Sequence, residues 1–387
     1  MVKDIFNSMT YLDFAATTPL DDRVLDAMMP FLKENFGNSS SIHKYGQNAE
    51  KALEESRQII ANILNSHPNE IIFTSCGSES DNLALRGVAL ATQKSRNANH
   101  ILISPVEHHA ISKTANQLAQ IFGFELEYLP VDEYGIVHPE CIKEYIRSDT
   151  AIVSVIYANN EIGSINPISS IGDICQQNEI PFHTDAVQAA AYLPIDTQLL
   201  NIDLLSIGAH KFYGPKGIGA LYIKNGTRII PQITGGSQES SYRAGTHNIA
   251  YIVGLAKSFS LVVEERKQRN NHVTQLRDQL IIRVLEDIDG SFLTGHPVKR
   301  MPNHASFVFD GINGNDLLMM LDIEGFACSS GSACKTGAPE PSEVLIALGI
   351  PYDLALGSLR ITLGTTTSQE HIDKFLDTLK KVVFRLR

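Results

Sequence analysis

The sequence predicts an α/β protein, with a large domain built on a mostly parallel sheet and a smaller α+β domain after it. Three observations lead there. Short β-branched runs, apolar on both faces, alternate with helical patterns until about Tyr251. Beyond Tyr251 the texture becomes charged and helical. A length of 387 residues also exceeds one ordinary small domain and suits two that share an extensive core.

The strand-like runs are Ile71–Thr74, His100–Ile103, Ala151–Ile156 and Gly219–Ile223. Being apolar on both faces, they are expected to be buried on both sides under covering helices. One long charged helix is expected from about Val253 to Asp289, joining the two domains. A strand at Ala305–Phe309 and a helix at Asn315–Asp322 follow. The last element is an amphipathic helix, with a capping box at Thr367 and Glu370 and one apolar face of Ile372, Phe375, Leu376, Leu379, Val382 and Val383.

A net charge of −11 argues against general nucleic-acid binding, which needs basic patches to displace counterions. Neither a signal peptide nor an apolar run of membrane-spanning length is visible. The five cysteines form no Cys-x-x-Cys pair, so a disulfide framework and a tetrahedral zinc site are not expected, and a reducing cytosol fits.

The most informative stretch runs from Asp203 to Gly217. A strand ends in small residues, presents His210 and Lys211, and breaks at Gly214-Pro215. That puts a lysine at the carboxyl end of a strand, where α/β sheets bind ligands. Burial near other cations would lower its pKa and ready it for a Schiff base; the plain alternative is a surface lysine in a turn. Upstream, the apolar Pro181-Phe182-His183-Thr184 ends in Asp185, a carboxylate suited to pairing with a pyridinium nitrogen, or simply to capping a helix. The stretch Phe73–Leu83 passes from a strand through small polar residues into a helix with Ala84, Gly87, Val88 and Ala91 on one side. Its start is a phosphate cradle, or a helix capped by Ser78. Finally, Ala327–Ser342 is rich in Ser, Gly and Ala, as a loop is, and a thiol there could travel between a buried cofactor and an outside acceptor.

Taken in order, these segments resemble the cysteine desulfurases, within the class V aminotransferase-like group of fold-type I pyridoxal-phosphate (PLP) enzymes. The matching stretches run from Tyr11–Pro19 to Ser358–Gly364. Between them lie Phe36–His43, Glu107-His108-His109, Asn159–Gly163, the lysine segment and Tyr242–Thr246. Single motifs are weak, whereas the ordered set is specific. The resemblance implies a mostly parallel seven-stranded sheet, a large domain over 16–258, and a small domain formed by 1–15 and 259–387 that carries the cysteine loop.

It also implies roles. Lys211 would anchor the cofactor covalently and later move protons. Asp185 would pair with the pyridinium nitrogen, Gln188 would bond the phenolic oxygen, and His108 would stack on the ring and serve as an acid–base group. His109 is the rival for that place. Gly77, Ser78, Gly208 and His210 would surround the phosphate, with Thr246 arriving from the partner of a homodimer. Asn38, Asn160 and Arg360 would bind L-cysteine, Arg360 gripping its carboxylate. Cys334, in Ser329-Ser330-Gly331-Ser332-Ala333-Cys334, would take the sulfur as a persulfide. That loop resembles the housekeeping group, which hands sulfur to an iron–sulfur scaffold or a tRNA-thiolation protein in the cytoplasm. Cys76, Cys141, Cys175 and Cys328 read as small buried hydrophobes, with Cys76 near the phosphate. Some positions depart from the family pattern. Gly208-Ala209 replaces a Ser-Gly, Cys76-Gly77-Ser78 replaces a Gly-Ala-Thr, and Ser39 replaces a proline. A selenocysteine lyase, a class V aminotransferase and a sulfur-transfer scaffold are the other readings.

Overall fold

The computed structural model describes residues 9–331 and 340–387. In chain order the first elements are β1 (Thr10–Tyr11), α1 (Asp22–Lys33), α2 (Lys44–Leu64), β2 (Ile71–Thr74), α3 (Gly77–Arg96), β3 (His100–Ile103), α4 (His109–Phe122), β4 (Glu125–Tyr128), α5 (Pro139–Tyr145), β5 (Thr150–Ser154), α6 (Ile168–Gln177), β6 (Phe182–Asp185), β7 (Leu204–Gly208) and β8 (Gly219–Ile223). The second set is α7 (Ile249–Glu264), α8 (Arg266–Asp287), β9 (Ser291–Leu293), β10 (His304–Phe309), α9 (Gly314–Ile323), β11 (Phe326–Ala327), α10 (Glu343–Ala347), α11 (Tyr352–Ala355), β12 (Ser358–Thr362) and α12 (Gln369–Leu386).

Seven strands form the main sheet in the order β2-β8-β7-β6-β5-β3-β4. The pairs from β7 to β4 are parallel. Strand β8 runs against both of its neighbours, so it alone is reversed and β2 points the same way as β7. This is the α/β architecture with a mainly parallel sheet that the alternating pattern predicts. Residues of β2, β3 and β5 to β8 are all buried, which is why those runs are apolar on both faces. The expected strand Ala151–Ile156 is shorter at its end. The N–H of Ile156 is taken by the Glu107 carboxylate at 2.6 Å, not by a neighbouring strand.

The second unit is built on the antiparallel sheet β12-β10-β9, and the parallel pair β1-β11 ties the start of the chain to it. The single long helix expected over Val253–Asp289 is two helices. They part at Glu265, whose backbone leaves helical geometry (φ −95°, ψ 1°) while its carboxylate accepts from Arg23 at 2.6 Å and Arg269 at 2.5 Å. Helix α7 packs on α1 and α2, whereas α8 packs on α12, β9 and β10. We propose that the two units divide at this break instead of at 258.

The apolar face expected of the last helix is the buried face of α12, all six residues of it. Its cap is displaced by one residue. Ser368 and His371 form the capping box, because the Thr367 hydroxyl is engaged by the Gly364 N–H at 3.0 Å. Phe375 is fully buried and meets Phe326 edge-on, ring centres 5.4 Å apart. Phe375→Ala is therefore expected to lower unfolding stability by about 3–5 kcal/mol, measured by denaturant titration. A loss below about 1 kcal/mol would show that this helix does not hold the second unit in place.

Candidate active site

The carboxyl ends of the strands open into one cavity of about 400 Å³. Asp185 is the last residue of β6, and Lys211 ends the single 3₁₀ turn that follows β7. Gly77 and Ser78 open α3 after β2, and His108 caps α4 after β3. These residues line the cavity together with Gln188, Asn160, His210 and Arg360. Segments far apart in the chain thus converge, because the crossover helices return the chain to the same edge of the parallel sheet and β12 brings Arg360 from the second sheet.

The Lys211 amine donates to the carbonyls of Ala15 and Ala16 at 2.6 and 2.8 Å. Burial, helped by the nearby Arg360 cation, lowers its pKa from 10.5 to about 8. It is thus close to the neutral form that attacks carbonyl carbon. Asp185 is buried and accepts from the Val187 N–H at 2.8 Å. Burial raises its pKa, while His108 and Lys211 pull it back down. The His108 Nδ1 accepts from the Ala110 N–H at 3.1 Å, and burial holds the ring's pKa below its ordinary value. His109 faces a different depression, beside Pro105, Glu107 and Tyr128. His210 is held to about 4 by burial and then by Lys211, so it is neutral, and its Nδ1 lies 3.2 Å from the Thr17 hydroxyl.

Arg360 reaches the cavity from β12. One terminal nitrogen donates to the Asn160 carbonyl at 2.9 Å and the other to Asp13 at 2.8 Å. Its Nε is buried without a partner among the described residues. Gln188 donates to Ala15 at 2.8 Å.

Helix α3 starts at Cys76 with no side chain capping it, so its dipole and first N–H groups face the cavity. The capping role considered for Ser78 does not arise. A Cβ on Gly77 would lie 2.6 Å from the Val187 side chain, so a larger residue there would require Val187 to move. Gly208 stands behind this helix start and does not line the cavity; a Cβ on it would come within 3.4 Å of the Gly77 nitrogen.

Two expected site residues lie elsewhere. Asn38 and Thr246 are exposed and outside the cavity wall. They lie close to one another, because Ser39 and His247, their chain neighbours, are joined at 3.0 Å. Cys334 falls outside the described residues. Of the other cysteines, Cys175 is buried, as expected, and Cys76 lines the cavity. Cys141 is only half-buried at the start of the short α5, and Cys328 is half-buried against the core; burial raises both thiol pKa values.

Asp81 was not singled out by sequence reasoning. It is fully buried one turn after Gly77, and one of its carboxylate oxygens has no hydrogen-bond partner among the described residues. Its signal in the sequence is an acid on the stripe that continues through Ala84 and Val88.

The class-V aminotransferase family matches residues 10–375. The chain belongs to this family. Within it, the chain is 48% identical over 377 residues to a cysteine desulfurase IscS of Dictyoglomus turgidum, covering 97% of this chain and 95% of the relative. It is 45% identical to the cysteine desulfurase IscS of Methanosarcina thermophila, covering 98% and 93%. Among solved structures, a NifS-like protein superposes with a TM-score of 0.91 at 35% identity, covering 97% of this chain and all of that one. A structure described as SspA in complex with cysteine superposes at 0.80 with 32% identity, over 92% and 99%. The fold of these relatives is thus shared along nearly the whole chain.

The lowered pKa makes the Lys211 amine reactive closer to neutral pH. Modification of Lys211 by an amine-selective reagent is expected to rise through pH about 8. Peptide mass spectrometry of a pH series checks this; a rise only toward the ordinary 10.5 would contradict the geometry.

Proposed function

We propose that this chain is a PLP-dependent cysteine desulfurase. It converts L-cysteine to L-alanine and holds the sulfur as a persulfide on Cys334. The observation that carries the reading is the convergence of a depressed-pKa lysine, a buried carboxylate and an arginine on one cavity. The family and its cysteine desulfurase relatives point the same way.

The residues present suit pyridoxal phosphate. Lys211 would hold its aldehyde carbon, Asp185 its ring nitrogen, and the uncapped start of α3 its phosphate, with His210 beside it. Gln188 would reach the phenolic oxygen once released from Ala15, and His108 would cover the ring. When bound, the cofactor supplies an electron sink for the substrate's α-carbon.

The chain's own residues do the rest. Arg360 grips the substrate carboxylate, with Asn160 and Asn38 completing the polar contacts. Lys211 in its neutral form takes the α-proton. The Cys334 thiolate then attacks the substrate sulfur; the carbon–sulfur bond breaks and a sulfur–sulfur bond forms on Cys334. The electron pair of the broken bond stays on the substrate's β-carbon, which takes up a proton; Lys211 returns a proton to the α-carbon, and the product leaves as alanine.

A homodimer completes the reading. Thr246 does not reach the cavity of its own chain, and it is exposed beside Asn38, where a second copy could receive it. The persulfide would pass to a thiol of an acceptor protein, serving iron–sulfur cluster assembly or tRNA thiolation. We place this work in the cytoplasm. No helix among the described residues is long and apolar enough to cross a membrane.

Supplied with pyridoxal phosphate and L-cysteine, the protein is expected to form alanine and, with a reducing thiol, an equal amount of sulfide. Lys211→Ala should lose the yellow lysine-bound cofactor. Cys334→Ser should keep the colour and lose more than about 99% of sulfide release, the scale on which removing a nucleophile acts. Mass spectrometry after cysteine addition should find one extra sulfur on Cys334. Alanine formation that survives Cys334→Ser would instead favour a lyase or aminotransferase.

A further inference from the structure

Behind the cavity wall lies a chain of buried polar groups that the reaction above does not use. The Ser154 hydroxyl is 2.9 Å from His183 Nδ1, and His183 Nε2 is 3.0 Å from the Ser206 hydroxyl. Ser206 in turn bonds Asp81. His183 is fully buried and burial holds it to about 3, so the ring is neutral. A neutral ring carries one N–H, so the network runs from Ser154 through Nδ1, Nε2 and Ser206 to Asp81 with His183 donating at one ring nitrogen and accepting at the other.

The network ends on one side of Asp81. Its Oδ1 lies 3.7 Å from His183 Nε2, has no hydrogen-bond partner among the described residues, and belongs to a residue lining the cavity. One oxygen or nitrogen each of Asp81, Asp185 and His108 lie within 4.8 Å of one another. Glu107 is a third buried carboxyl beside them, and Cys76 a thiol near Asp81. The cationic group facing this cluster is Lys211, and it acts on Asp185. His108 likewise acts on Asp185, lowering its pKa, and not on Asp81.

Three carboxyls cannot all ionise in so dry a place with one amine. Asp185 has the Val187 N–H, Lys211 and, when loaded, a cationic ring; Asp81 has none of these. The geometry points to Asp81 as a positioning residue: its carboxyl keeps its proton and turns that O–H toward Asp185, steadying Asp185 as the anion that holds the cofactor. This rests on the cofactor reading above. Burial and the neighbouring Asp185 charge both raise the pKa of Asp81 well above the carboxylate range, in keeping with a retained proton.

The test compares the parent with D81N, which keeps a donor without a charge, and D81L, which keeps the volume without a donor. In infrared difference spectra of parent minus D81N, with and without pyridoxal phosphate, a protonated-carboxyl band is expected at neutral pH. D81N should retain the cofactor as the parent does, with its absorbance changing at the same pH. D81L should release it at least about tenfold more readily, as loss of a donor to a charged group requires. Absence of the band, or D81N losing the cofactor as D81L does, would mean that Asp81 acts as an anion and would overturn the proposal. So would D81L retaining the cofactor like the parent. A parent that shows the band but takes up no pyridoxal phosphate would sink the cofactor reading, and with it the positioning role.

Discussion

The constraint on which the rest depends is charge in a small dry space. Asp81, Glu107 and Asp185 are buried around the same end of the sheet, Lys211 answers Asp185, and Arg360 reaches the same cavity paired with Asp13. Burial penalises every one of these charges unless it is shared or neutralised. The protein meets the penalty in different ways. Arg360 is tied to Asp13 and the Asn160 carbonyl, Glu107 accepts from the Ile156 N–H, and Asp185 accepts from Val187. Lys211 gives up part of its affinity for a proton, and that is what makes it a nucleophile at neutral pH.

The parallel sheet is the means of holding these groups. Gly77, His108, Asp185 and Lys211 follow the ends of strands that point the same way, so their backbones are fixed by ladders buried on both faces, whereas Arg360 comes from β12 of the second sheet. The tightest juncture is where α3 begins against β7. Gly77 and Gly208 stand close, with Val187 filling the space that a side chain on Gly77 would need. The helix start can then turn its unpaired N–H groups to the cavity, not to a cap. Reversing β8 costs the arrangement nothing, because Gly219–Ile223 supplies no residue to the cavity wall.

What was legible in the sequence was whatever a local pattern could express. Strand ends show as apolar runs, so Lys211 and Asp185 could be placed at the cavity from their spacing and the break that follows them. The face of α12 was legible for the same reason, because a period of 3.6 survives any tertiary context. The missing parts are those decided at a distance. The helix break at Glu265 depends on Arg23, which is 242 positions away. The burial of Asp81 depends on β6 and β7 arriving beneath α3 with His183, Asp185 and Ser206. The cap of α12 slid by one residue because a turn claimed Thr367.

The outward face around Asn38 and Thr246 obeys the same logic as the cavity. Glu239 is buried and bonded by Arg57 at 2.8 and 2.9 Å, by His247 at 2.7 Å and by the Phe73 N–H at 2.8 Å. These partners outweigh its burial and hold its pKa to about 2, so it stays ionised. Glu239, Ser240 and Ser241 all adopt positive φ, between 49° and 67°, a conformation that costs about 1 kcal/mol or more per residue away from glycine. A surface loop serving only to connect would have relaxed. Here the buried pair pins the strained turn, the turn sets His247, and His247 fixes Ser39. Two exposed segments, far apart in sequence, are thereby presented as one rigid edge. A second chain completing a phosphate site, as proposed above, would need an edge held in that way, because a mobile donor would give back in ordering entropy what its hydrogen bond contributes.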